Sequence, residues 1–267
     1  MSVYDREGTF MGKFRPKFSC DNIAYEVSYT FLSEAFRLFN LATQKLNENG
    51  VDETILNQTA DLYCQSAGIF ELVGQKIIPR IINMPSERSP EILKETNFAL
   101  SEICIGLAHY VAFIKAKNRQ MSNKNLCKLL MISFDNFKKA QELLKSLKYD
   151  YLDIDPNFRD FVEYGGMGFK AMACLFYGDA CFEEKKYGLA SGLLSESSRV
   201  INECKRNTKE TNVIKMVCAY ADEVEQKYSS YHKNNVSYED EPTLLEIDLL
   251  LPKGVPFMIA KKPNFEV

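Results

Sequence analysis

Cys104 and His109 fall in one apolar stretch, and a thiol beside an imidazole is the pairing used by cysteine nucleophiles. Such chemistry needs a hydrogen bond between the two and a third group to orient the base. On one helix this spacing puts the side chains on different sides. His109 is therefore expected to be a core or surface histidine, and an enzyme using Cys104 or Cys174 is the outlying alternative. The other cysteines are Cys20, Cys64, Cys127, Cys181, Cys204 and Cys218, no two of the eight form a C-x-x-C pair, and the only other histidine is His232. A zinc site needs clustered ligands, so no metal and no cofactor is expected. Most of the cysteines sit among helical apolar positions, where a reduced thiol acts as a small hydrophobe. No signal peptide opens the chain, so a reducing cytosolic or nuclear compartment is expected. No apolar run is expected to reach the length of a membrane span.

Charge narrows the choice of partner. The 267 residues carry 33 Lys+Arg against 36 Asp+Glu, a net charge of -3, which does not suit a globally basic nucleic-acid binder. An apolar fraction of 46% is enough for a real core. The pairs Lys138-Lys139, Lys185-Lys186, Lys205-Arg206 and Lys261-Lys262 are read as solvated faces. Two lysines contribute only about 2 kcal/mol toward an anionic membrane. Tyr238, followed by Glu239-Asp240-Glu241, is a candidate phosphorylation site, with a packed aromatic as the plainer reading.

The elements that must position any site are helices. Residues 21–78 read as a helical hairpin broken at Asn49-Gly50. Its first arm, opened by Asp21 as N-cap, divides into three stripes. Two are apolar (Ala24, Val27, Phe31, Ala35, Leu38, Ala42, and Tyr25, Tyr29, Leu32, Phe36, Phe39, Leu46), which means packing against more than one neighbour. The third is polar: Glu26, Thr30, Ser33, Arg37, Asn40, Gln44. The second arm alternates large and small residues along Leu56, Ala60, Tyr63, Ala67, Phe70 and Gly74, so a facing helix can approach closely. Ser89-Pro90 opens a third helix running to about Gln120. A fourth spans Ser122 to Lys148, and Pro156 opens a fifth, in which Gly165, Gly166 and Gly168 mark a kink or a close contact. Gly178, Cys181, Tyr187, Ala190, Leu194 and Ser197 follow the spacing of a tetratricopeptide unit. A seventh helix covers roughly Thr211 to Lys233. Residues 234–267 hold Pro242, Pro252, Pro256 and Pro263 between apolar runs, and are expected to be extended and packed back along the helices. The whole is read as one domain over 1–267: an extended segment 1–20, a helical core 21–233 and a return segment 234–267.

This order resembles the BRO-one domain of the Alix and BROX proteins. The resemblance rests on Tyr25-Glu26-Val27-Ser28 through Ala42-Thr43-Gln44, on Ala60 through Phe70, on Phe113-Ile114-Lys115-Ala116, and on Asn235-Val236-Ser237-Tyr238 followed by Pro242, read as a strand-like start of the closing segment. It covers most of residues 20–267. The chain departs from the family in a shorter segment before the hairpin, in His109-Tyr110 where a Gln-Glu pair is common, and in lacking a prenylation box at Asn264-Phe265-Glu266-Val267. The resemblance implies an all-α, curved, tetratricopeptide-like scaffold with short extended N- and C-terminal segments. It implies a non-catalytic adaptor of ESCRT-dependent endosomal sorting or membrane remodelling. The implied partner is the C-terminal amphipathic helix of an ESCRT-III subunit. By position, the apolar patch falls on Ala112, Asn125 and Leu129, with Leu126 adjacent, and the polar partners on Glu53 and Asn57. Of these, Leu129 and Glu53 keep the family's character best. The expected location is cytoplasmic, with recruitment to endosomal or nuclear-envelope membranes through partners. A general helical-repeat protein with an unrelated partner is the alternative.

Overall fold

The stripes of the first arm become a helix, α1 (Ile23–Asn47), whose polar stripe faces solvent. The computed structural model describes residues 22–47, 52–84, 88–209, 211–236 and 250–263. Asp21 and the Asn49-Gly50 break lie outside them. Asn22 caps the helix, accepting the Ala24 N–H at 2.8 Å. The second arm is α2 (Glu53–Leu72), capped by the Asp52 carboxylate, which accepts the Ile55 N–H. All six residues of its large–small stripe are buried. Phe36 and Phe39 of α1 meet Phe70 and Tyr63 of α2 edge to face, at 5.0 and 5.6 Å between ring centres. The stripe through Tyr25 and Phe39 therefore faces α2 in its C-terminal half. Whether residues 1–20 cover the rest lies outside the described residues.

Past Leu72 the chain stays helical through a π turn (Val73–Ile77) and a 3-10 turn (Ile78–Arg80). The third helix starts later than Ser89-Pro90 suggests. Pro90–Ile92 form a single 3-10 turn, Leu93 is extended, and α3 spans Lys94–Asn118. The Asn97 amide accounts for the break, because it donates to the carbonyls of both Glu91 and Leu93, at 2.8 and 2.9 Å. One expectation needs correcting here: α3 is long and apolar enough to cross a membrane. It lies between α2 and α4 with most of its surface buried, so that apolarity serves the core.

The remaining helices are α4 (Asn123–Lys145), α5 (Pro156–Glu183), α6 (Tyr187–Asn207) and α7 (Thr211–Asn234). Each packs on the next in the chain, and α5 also meets α7. No strand occurs among the described residues. Asn235 and Val236 prolong α7 in a π turn, where a strand-like start was expected, and Ser237, Tyr238 and Pro242 lie outside the described residues.

Missing side chains set the helix spacings. α5 runs unbroken through its glycines; Gly166 admits Phe137 of α4, and a Cβ there would lie 3.1 Å from the Phe137 Cβ. On the other side a Cβ on Gly106 of α3 would lie 2.9 Å from the same ring. At the α5–α6 crossing, Gly178 faces Leu194, and Ser197 donates to the Ala171 carbonyl at 2.8 Å, which fits the tetratricopeptide spacing read from these residues.

Phe137 also meets Phe161 and Phe169 of α5 edge to face. Phe137→Ala is expected to cost about 3–5 kcal/mol of stability, measured by equilibrium urea unfolding. A loss below about 1 kcal/mol would mean that α3, α4 and α5 close the gap on their own.

A candidate docking cavity between α2, α3, α4 and the C-terminal strap

Three adjacent helices each turn one face toward a common hollow. Leu56, Asn57 and Ala60 are one turn of α2, and Val111, Ala112, Lys115 and Ala116 are one face of α3, continued by its C-cap residue Arg119. Asn125, Lys128, Leu129 and Ile132 keep helical spacing on α4. The hollow has a volume of about 480 Å³ and a largely apolar floor.

Its fourth wall is an extended strap, residues 250–263, lying across α4, α3 and α2. Gly254 crosses α4, where a Cβ would stand 2.5 Å from the Lys128 carbonyl oxygen. At α3, the backbone N–H groups of Phe257 and Met258 both donate to His109 Nε2, at 3.3 and 3.2 Å. At α2, the Lys261 N–H donates to the Cys64 carbonyl at 2.9 Å. That contact is possible because Gly68, one turn further along α2, has no side chain; a Cβ there would stand 1.7 Å from the Lys261 carbonyl oxygen. The Lys261 ammonium also pairs with Asp61. Burial pushes the Asp61 carboxyl the other way, but Lys261 and Gln65 hold it below the usual carboxylate range. Val255, Phe257 and Ile259 alternate along the strap and are 83%, 56% and 74% exposed, with Val255 and Phe257 at the open mouth of the hollow they line.

The rim is cationic. Lys115, Arg119 and Lys128 line it. Glu53, the first residue of α2, stands at the edge within 3.0 Å of Lys115, and the Arg119 guanidinium binds both its carboxylate oxygens. The hydrogen bonds from Arg119 and Lys115 hold the Glu53 carboxyl below its ordinary value. Lys115 also donates to the Asn57 amide oxygen at 2.9 Å.

Cys104 and His109 are each engaged with other partners. Cys104 is fully buried, donates to Ser66 Oγ at 3.6 Å, and burial pushes its thiol up to about 12. His109 spends Nδ1 on the Ile105 carbonyl at 2.8 Å and Nε2 on the strap. Among the described residues no group of His, Cys, Asp or Glu side chains is placed to hold a metal.

A sequence model of the BRO1-like domain matches residues 7–241. The chain belongs to the BRO1-like domain family. Among curated protein sequences, none is similar enough to count as a relative. Solved structures share the BRO1 fold. A complex of the ALIX BRO1 domain with CHMP4C aligns with a TM-score of 0.79 at 18% identity, over 95% of this chain and 69% of that one. A Bro1 domain described for endosomal targeting gives 0.71 at 19% identity, over 93% and 65%. ALIX in complex with the SIVmac239 PYKEVTEDL late domain gives 0.75 at 17% identity, over 95% and 35%.

The residues assigned by position in the BRO1-like family come together. Leu129, Ala112, Asn125 and Asn57 line the hollow, and Glu53 stands at its edge. Leu126 is the exception. It is only 4% exposed, because one residue past Asn125 the α4 surface has turned toward the core beside Cys127 and Leu130. The sequence reading missed the cations and the strap wall. The four-residue step from Lys115 to Arg119 was a visible signal for the first, and the lone glycine of the apolar closing run, Gly254, for the second.

The strap is the part most open to test. Gly68→Ala leaves α2 intact, since alanine favours a helix, but drives a methyl into the Lys261 carbonyl. Trypsin cleavage after Lys261 is expected to accelerate at least tenfold with helical circular dichroism unchanged. Unaltered cleavage would show that the strap is not seated on Gly68.

Proposed function

We propose that this BRO1-like domain is a non-catalytic adaptor that holds the C-terminal amphipathic helix of an ESCRT-III subunit in the hollow between α2, α3, α4 and the strap. The observation that carries the reading is the composition of the hollow: an apolar floor under a rim of Lys115, Arg119 and Lys128, with the Glu53 carboxylate beside Lys115 and Arg119. An apolar helix face fills such a floor, and acidic side chains flanking that face answer the cations. The ALIX BRO1 structure in complex with CHMP4C supports the same reading from outside the chain. The buried, unreactive Cys104 and the fully engaged His109 support an adaptor over a thiol enzyme. The proposed setting is the cytoplasm, with membranes such as the endosomal surface reached through the partner.

Leu129 is the half-buried apolar anchor of the α4 face. In a titration of labelled ESCRT-III C-terminal peptides by fluorescence anisotropy, Leu129→Asp is expected to lose about 2 kcal/mol or more, roughly thirtyfold. Raised salt is expected to weaken the parent complex as the rim cations are screened. No binding by the parent, or equal binding by Leu129→Asp, would overturn the proposal.

A further inference from the structure

We infer that His109 is the positioning residue of the hollow's fourth wall: its Nε2 lone pair holds the strap, and a proton added there lets the strap go. The consequence for docking rests on the adaptor reading above; the latch itself does not.

The hydrogen bonds assign the proton. Nδ1 lies 2.8 Å from the Ile105 carbonyl, an acceptor, so Nδ1 carries the hydrogen. Nε2 is then a bare lone pair, and it accepts from two successive backbone N–H groups of the strap, Phe257 and Met258. The ring is fully buried and is met edge-on by the Phe257 ring at 5.0 Å. Protonation would place a third N–H against those two donors, with no acceptor among them. The strap then lacks its middle attachment, between Gly254 on α4 and Lys261 on α2. Val255, Phe257 and Met258, which wall the hollow, lie in the freed stretch.

Among the described residues, no charged side chain offsets the change. Burial lowers the His109 affinity for a proton and the Ile105 carbonyl partly restores it; no carboxylate takes part. The titratable groups of the elements packed around it are engaged with one another. On α2, Asp61 is paired with Lys261 of the strap, and Cys64 is a buried thiol pushed up to about 11. On α4, Asp135 lies in the fields of Lys138, Lys139 and the strap's Lys253, and Lys128 stands on the rim. On α3 itself, Glu102 faces Lys139 and Glu71, and Tyr110 is half-buried. Because the folded value lies below the ordinary 6.5, the stability that His109 contributes is fully present above that pH. It is lost as pH falls from there through the folded value.

The test follows the Phe257 and Met258 amides by nuclear magnetic resonance in the full chain labelled with ¹⁵N-Phe and ¹⁵N-Met, from about pH 7.5 to about pH 5. Both amide signals are expected to move with the midpoint of the His109 ring, and to lose protection from exchange as they do. His109→Gln offers an acceptor oxygen that takes no proton, so its strap signals should stay flat over the same range. His232, on α7 against Tyr228 and Ser191, is the background that this variant keeps. Strap signals that ignore the His109 titration, or that move with the same midpoint in His109→Gln, overturn the inference. So does a strap that stays locked until the helices themselves unfold. A peptide arm separates the two readings. Affinity should fall at least tenfold across the midpoint in the parent and not in His109→Gln. A peptide that binds at no pH sinks the docking proposal and leaves the strap titration to judge the latch.

Discussion

Phe137 fixes the distance between three helices at once. Its ring fills the space left by the missing side chain of Gly106 on α3 and, at its base, the space left by Gly166 on α5. Interiors pack too densely for such a ring to be shared loosely, so the spacing it sets passes along both neighbours. The apolarity of α3 follows from the same constraint. A helix flanked by α2 and α4 has little circumference left for solvent, and the composition that results is that of a membrane span. Burial between neighbours, and no property of the sequence taken alone, separates the two cases.

The hollow depends on that spacing. Helices held side by side turn one face each toward the same side, and residues from α2, α3 and α4 meet there. A gap of this kind is filled by a passing chain wherever backbone can come close. The strap meets that condition twice, with a glycine of its own over α4 and a glycine of the helix under it at α2. It is fastened by its backbone at α2 and α3, with the Lys261–Asp61 ion pair added at α2, so side chains such as Val255 and Met258 are left to line the hollow.

Helix order, the large–small stripe of α2 and the crossing of α5 with α6 were legible in the sequence, because each is a local period that burial merely enforces. So was the meeting of Leu129, Ala112 and Asn125, once the resemblance had put the α3 and α4 faces side by side. Leu126 was misplaced because adjacency in sequence is a turn of about 100° on a helix. The start of α3 was misread because the side chain that breaks the helix, Asn97, lies a turn inside it. The strap could be foreseen only as an apolar return. Its register depends on which helix carbonyls and lone pairs are open, and those are fixed by tertiary placement. His109 looked inert for the same reason: its partners lie about 150 residues away and offer backbone groups, which leave no mark in a sequence.

The cysteines carry a practical consequence. Among the described residues, Cys64, Cys104, Cys127, Cys174, Cys181 and Cys204 are buried thiols, and Cys218 alone is exposed. Among these residues, a thiol reagent added to the folded protein therefore meets one ready target on α7 and a reserve that only opening of the helices can release. The kinetics of that second wave of labelling time the breathing of the bundle, helix by helix. A single dye on Cys218 gives a handle on the last helix.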